Sequence, residues 1–412
     1  MFKKFVLFVF IVLMVAGFCF AKEVHVKFMN FSSAGDNVQY LEEMKDVFEA
    51  QNPDIKIDIE TVGFGDYFTK LMTLIAGNNA PDAFELNYEN FFTYAKKGTL
   101  LNLNAEMAAN NFNRDNLNEM ALKAFQMNND QYGLPFSFSN VVLIYNKALF
   151  DQAGVSYPAP DWKWNDVQNA AEKIRALHPM TFGLFQPIQF NEFYKVVQQN
   201  GGSLFTEDGK AFNVNSPENI ETLQYMVDRI LKSNVMPNDA QLAGMGDWDL
   251  FIAGRVGMLF TGIWAFPTFT SDCDFDWDIA VEPGNKAKAT HFFSNGIAIS
   301  KNTKVKDAAY KWIEFLSSSK EVAQIRIDAG WELPAVTYAD ILADYTSQTP
   351  PANRNAVFES MNYLVTPPVV EQAAELTDIL NRYLDEARYG EKTPEEALNG
   401  AQKELTEKIK LD

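Results

Sequence analysis

The stretch from Val24 to Glu60 constrains the fold more than any other part of the chain. Val24 to Phe28 reads as a strand, and Tyr40, Leu41, Met44, Val47 and Phe48 then fall on one face of a helix. Asn52-Pro53 ends that helix, because a residue before proline is pushed out of helical geometry. Ile55, Ile57 and Ile59 next alternate with Lys56, Asp58 and Glu60, the period of a half-buried strand. Strand, helix and strand within about 40 residues make a βαβ unit, the element of α/β sheets.

The rhythm continues. Tyr67 to Ala76 reads as a helix, Ala83 to Leu86 as a short buried strand, and Asn90 to Lys97 as a helix closed by Gly98. Trp164 to Leu177 is expected to be helical with Asn165 as its cap, and Pro217 to Leu231 starts with proline in the first turn. Phe275, Trp277, Ile279 and Val281 alternate as a strand, Asp307 to Leu316 is an amphipathic helix, and the chain from Val369 onward is almost all helix. Thr393-Pro-Glu-Glu396 has capping-box spacing. A chain of 412 residues exceeds one ordinary core and suits two lobes. With no Gly/Ser- or Pro-rich linker between them, the chain is expected to cross from lobe to lobe several times.

Charge narrows the partners. The formal net charge of -19 repels nucleic acid and anionic lipid, and no basic cluster offsets it. At the N-terminus, Lys3 and Lys4 precede an apolar run from Phe5 to Val15, with small residues at Ala16 and Gly17. This is the pattern of an export signal over residues 1–21, cleaved after Ala21. The protein is therefore expected outside the cytoplasm, periplasmic, or membrane-anchored if Cys19 carries lipid; Phe18 beside it argues against lipidation. Cys273 is then the one cysteine of the mature chain, so no internal disulfide forms.

Signals for chemistry are absent. The sequence holds no G-x-S-x-G, G-x-x-x-x-G-K-[ST], H-E-x-x-H or G-x-G-x-x-G, and His25, His178 and His291 are widely scattered. Asp272, Asp274, Asp276 and Asp278 open like a calcium loop, but Trp277 and Pro283 stand where that loop needs glycine and a bidentate acid. A solvated strand face is the expected reading. No catalytic residue, metal ligand or cofactor is assigned; a hydrolase using two carboxylates stays open among 54 acids.

Several segments, in order, carry a resemblance. They are Phe48-Glu-Ala-Gln-Asn-Pro-Asp-Ile-Lys-Ile57, Ala80-Pro-Asp-Ala-Phe84, Tyr94-Ala-Lys-Lys-Gly98 and Tyr132-Gly-Leu-Pro-Phe136. They continue with Leu143-Ile-Tyr-Asn-Lys147, Phe251-Ile-Ala-Gly-Arg-Val-Gly-Met258, Gly262-Ile-Trp264, Gly296-Ile-Ala-Ile-Ser300 and Pro394-Glu-Glu-Ala-Leu398. Together they resemble the extracellular solute-binding proteins of ABC importers, the carbohydrate-binding group that includes maltose-binding protein. The resemblance implies a two-lobed periplasmic-binding-protein-like α/β fold with three interlobe crossings and a ligand cleft between the lobes. The crossings are expected near Pro135 to Asn140, His291 to Ser300 and Trp331 to Val336. The lobes would be 22–138 plus 291–333, and 139–290 plus 334–412. It further implies capture of a solute by hinge closure and delivery to the permease subunits of an importer, by a monomer.

Sugars present apolar C–H faces and a rim of hydroxyls, so their pockets combine flat aromatic rings with Asp, Glu, Asn or Gln. In open α/β sheets such pockets lie beyond the carboxyl ends of strands. Phe31 and Ser32 follow the first strand, and Asn87, Tyr88 and Glu89 follow Leu86, where the family carries sugar contacts. Trp264 matches a stacking position of the family, and Phe190 and Asn191 match another contact region. Asn295 lies at the second crossing, and Trp331 and Glu332 lie at the third. Trp162, Trp164 and Trp248 are assigned to packing. The loops Asn30 to Asp36 and Asn87 to Asn90 hold no Arg or Lys, which favours a neutral ligand over a polyol phosphate. A polyamine or metal chelate stays open as an alternative.

Overall fold

The computed structural model describes residues 23–368 and 370–411. The export segment, with Cys19, lies outside the described residues. Strands β1 (Val24–Asn30) and β2 (Ile55–Thr61) pair in parallel, Val24 opposite Ile55, with the helix Val38–Gln51 as the crossover. Leu41, Met44 and Phe48 of that helix are buried, the stripe its apolar period predicts. β3 (Ala83–Asn87) joins β1 in parallel. A hairpin of β4 (Gln126–Met127) and β5 (Asp130–Gln131) leads into β6 (Gly133–Asn146), whose 14 residues are all buried.

The remaining strands are β7 (Phe182–Phe185), β8 (Val256–Gly262), β9 (Trp277–Ala280), β10 (Thr290–Ile299), β11 (Leu333–Pro334) and β12 (Leu364–Val365). The main sheet runs β2-β1-β3-β10-β6-β8-β7. β6 belongs to both ends of it: residues from Gly133 to Asn140 pair with β10, and residues from Val141 to Asn146 pair with β8 and β9. β10 is inserted antiparallel between β3 and β6, and β11 pairs with Phe138 and Ser137 of β6. Three separated stretches of chain, around residues 137, 295 and 333, therefore lie side by side where the sheet changes partners.

Two apolar cores follow from this layout. One packs β1, β2, β3 and β10 against flanking helices, with Trp312 wholly buried and edge-on to Phe28 and Phe48. It extends over one face of the second half-sheet to Leu250, Phe251 and Phe269. The other packs the opposite face of β7 and β8 against the helices Trp164–Arg175, Phe190–Gln199, Pro217–Leu231, Ala373–Arg388 and Pro394–Lys408. Truncating a ring such as Trp312 costs about 3–5 kcal/mol, since packed neighbours refill the space only in part. Among the described residues no helix is long and apolar enough to cross a membrane.

Some local expectations need correction. The helix expected from Asn90 begins at Tyr88, directly after β3, so Tyr88 and Glu89 are first-turn residues rather than loop. The expected cap Asn165 lies inside its helix, which Lys163 caps. The four-aspartate strand face does not form. Asp272 ends a helix, the strand begins only at Trp277, and Asp278 is buried, accepting from the Ile279 and Asn353 amides. Asp272, Asp274 and Asp276 are solvent-exposed. The Thr393 capping box is present, with Glu396 N donating to Thr393 Oγ1 at 3.2 Å and Thr393 N to the Glu396 carboxylate at 2.9 Å.

Candidate functional site

Beyond the carboxyl end of β1, the amides of Phe31 and Ser32 both donate to Glu85 Oε2, at 3.0 Å each. Glu85 projects from β3 and is fully buried; burial pushes its carboxyl up to about 7, against the opposing pull of those N–H groups. The clamp turns the Phe31 ring into an aromatic cluster with Phe64 at 5.3 Å and Tyr67 at 5.0 Å. Phe64 opens the helix after β2 and stays 58% exposed, a flat apolar face held at the end of the sheet.

β3 delivers the second group. Asn87 accepts from Asn90 Nδ2 at 2.8 Å, and Tyr88 stands edge-on to Phe292 at 6.2 Å. Burial raises the Tyr88 phenol, with a hydrogen bond to Thr366 opposing. Glu89 does not point free: its Oε1 lies 3.2 Å from His291 Nε2. The other ring nitrogen of His291 is 2.5 Å from the Tyr194 hydroxyl. His291 is completely buried, which holds its pKa below the ordinary histidine value although Glu89 pulls the other way.

On β10 the alternation of a strand puts His291, Phe293 and Asn295 on one side. Phe293 stacks on the His291 ring at 3.4 Å and meets Trp264 edge-on at 5.0 Å. Trp264 follows β8 through Gly262, where an added Cβ would lie 2.0 Å from the indole, so only glycine admits this ring position. Of the pair that opens the helix Phe190–Gln199, Phe190 is 5% exposed and packs on Tyr194 at 5.8 Å, whereas Asn191 is solvent-exposed.

The third group sits where the sheet changes partners. Trp331 is only 4% exposed, so the ring expected as a sugar platform is packed inside. Arg326 lies between it and Phe136, its guanidinium carbon 4.2 Å from one ring centre and 4.4 Å from the other. Glu332 Oε2 accepts from Ser137 Oγ at 2.5 Å, Arg326 Nη2 at 3.2 Å and Asn295 Nδ2 at 3.3 Å. Burial pushes the arginine down to about 10, opposed by Glu332 and Glu85, and it remains a cation at neutral pH.

The structure thus joins Phe31 to Ser32 through Glu85, Glu89 to His291, Trp264 to Phe293, and Asn295 to Glu332. Sequence reading passed over Phe64, Glu85, His291, Phe293 and Arg326. Two signals were available: an acid within the apolar run Ala83 to Leu86, and the alternation of His291, Phe293 and Asn295. Among the described residues no group of three or more His, Cys, Asp or Glu is placed to hold a metal ion.

Residues 33–323 match the family of bacterial extracellular solute-binding proteins. The chain belongs to that family. It is a solute-binding protein of an ABC transporter, with the two-lobed fold of its structural relatives. An ABC substrate-binding protein from Listeria monocytogenes, solved in complex with cycloalternan, is 47% identical, with a TM-score of 0.90 over 93% of this chain and 98% of that one. The maltose-bound MalE3 of T. maritima superposes with a TM-score of 0.80 over 93% and 99% of the chains at 22% identity, a likeness of fold. Among sequence relatives, a maltotriose-binding protein of Pyrococcus abyssi is 22% identical, over 72% of this chain and 63% of its own length. Putative binding proteins of Brucella abortus are 24% identical over 88% of both chains.

Proposed function

We propose that this protein captures an oligosaccharide, a cyclic one such as cycloalternan, and hands it to the permease subunits of an ABC importer outside the cytoplasm. The observation that carries this reading is the 47% identity to the cycloalternan complex, sustained over 93% of the chain. The geometry agrees in kind. Trp264, Tyr88 and Phe64 offer ring faces or edges for C–H surfaces, while Asn87 and Asn191 supply polar groups for hydroxyls. A closed saccharide ring suits such a site, because it has few conformations to lose on binding. Capture works by hinge closure: contacts made fully only when both lobes, 22–138 plus 291–333 and 139–290 plus 334–412, touch the ligand shift the open–closed balance. Binding and release need no bond cleavage, so the protein acts without catalysis.

Titration calorimetry of residues 22–412 tests this with cycloalternan, linear maltooligosaccharides and glycerophosphocholine. Cycloalternan is expected to bind most tightly and to raise the unfolding midpoint by mass action. Trp264→Ala should weaken it about ten-fold, the scale of one lost aromatic contact. Binding of glycerophosphocholine with no saccharide response would retain the family and overturn the sugar.

A further inference from the structure

Glu332 was expected to meet a sugar hydroxyl, yet the structure gives one of its oxygens a different set of partners. Ser137 lies on β6, Asn295 on β10, and Glu332 itself immediately precedes β11. These are the three stretches that run side by side between the lobes, and they are far apart in sequence. Main-chain pairing of β11 to β6 involves only Leu333 and Pro334. The side-chain junction at Glu332 Oε2 is therefore a large part of what holds the third stretch to the other two.

Its surroundings reinforce it. Arg326 reaches the Glu332 carboxylate with Nη2 at 3.2 Å and the Glu332 carbonyl with Nε at 3.4 Å. The guanidinium is fixed between Phe136 of the first stretch and Trp331 of the third, two rings that also meet edge-on at 6.1 Å. Cation, carboxylate and rings are all nearly closed to solvent, where charge-assisted bonds are strongest.

We propose that Glu332 is a positioning residue for ligand capture: its carboxylate pins the three interlobe stretches in one register, so the lobes rotate about a single defined hinge. Hinge rotation is absorbed by a few residues that change φ and ψ. A junction tying all three stretches at one level confines that change to the chain on either side of it. Without it main-chain pairing alone holds the three stretches, and more open-state freedom has to be lost when the lobes close on ligand. This rests on the reading that the protein captures its solute by closure.

The test compares Glu332→Ala with Glu332→Gln, whose amide oxygen can still accept the same hydrogen bonds. Hydrogen exchange of the ligand-free protein is followed by mass spectrometry in peptides covering 133–140, 290–299 and 331–336. Glu332→Ala should speed exchange in all three together and leave the helix Phe190–Gln199 unchanged; Glu332→Gln should recover most of the protection. Cycloalternan affinity should fall about ten-fold in the alanine variant, the loss of roughly one buried hydrogen bond, and recover in the glutamine variant. Faster exchange confined to 331–336, or an affinity loss with exchange unaltered, overturns the proposal and returns Glu332 to direct ligand contact. Ser137→Ala and Asn295→Ala each detach one strand and do not depend on Glu332→Ala folding. Each should speed exchange in its own strand and in 331–336, and no change in either overturns the junction. If the wild type binds no saccharide, the sugar reading fails while the exchange result still decides this one.

Discussion

Under the helix Phe190–Gln199, Lys195 places its ammonium between Glu192 at 2.8 Å and Glu282 at 2.6 Å. Both Glu282 oxygens are engaged, by Lys195, Gln199 and Thr290. Gln186 continues from Glu192 to Arg229, which lies over the Tyr225 ring, so two acids and two bases balance inside one lobe. Lys195 keeps its charge: burial disfavours it, but Glu192 and Glu282 outweigh that and hold its pKa above the ordinary lysine value. Glu85, Arg326 and Glu332 form a second buried charge cluster, where β6, β10 and β11 meet. There Arg326 Nη1 is buried without a hydrogen-bond partner, while Ser32 turns its side chain as well as its amide toward the Glu85 carboxylate. The first cluster likewise leaves Arg229 Nε without a partner, so the two differ in place rather than in completeness: one lies under a helix, the other where β6, β10 and β11 meet.

The largest expected effect comes from breaking the first cluster. Lys195→Met leaves Glu192 and Glu282 buried without their cation and should cost about 3–5 kcal/mol in urea unfolding. Ligand affinity of the folded fraction should not change; a loss of affinity at constant stability would erase the contrast between the clusters.

The next effect sharpens the second cluster through pH. Folding raises the Glu85 carboxyl from 4.5 to about 7, because burial favours the neutral acid. Its stabilising contribution is complete below the unfolded value and is lost as pH rises through the folded one. Arg326, Glu332 and Tyr67 face this group, and Arg326 alone supplies positive charge. Glu85→Gln removes the loss, so its stability relative to wild type should climb by on the order of 3 kcal/mol between about pH 4.5 and 8. Melting curves across that range check it, and a flat difference would mean that Glu85 stays ionised. Glu282, also raised by burial, is present in both proteins and cancels.

Thr290 links the first cluster to β6, bonding Glu282 Oε1 at 2.8 Å and the Val141 carbonyl at 2.6 Å. Thr290→Val is the smallest of the three, about 1 kcal/mol in urea unfolding for one hydroxyl. An effect as large as that of Lys195→Met would show that β10 and the cluster melt as one unit.

The α/β rhythm, the parallel β1–β2 pair and the terminal capping box were legible because each depends on residues close in sequence. What the sequence hid depends on distant partners. Trp331 follows a glycine and looks like an exposed loop ring, but Phe136 and Arg326 close over it. Glu89 looks like an acid offered to a ligand, yet its neighbour His291 comes from another part of the chain, 202 residues away. Asp278 lies on the strand that Asp272, Asp274 and Asp276 precede, and the distant Asn353 amide and the Lys147 ammonium, at 3.6 Å, reach it there. Side-chain pairing across the fold has no period for a reader to find.

One consequence of the strand order concerns synthesis rather than binding. β10 sits between β3 and β6 and is made after both of them. Until residue 299 has left the ribosome, β3 and the first half of β6 both face a gap that nothing earlier in the chain can fill. A nascent chain of this protein therefore stays incompletely folded through most of its translation, because its long-range pairing comes late. That delay keeps the nascent chain threadable until the gap is filled.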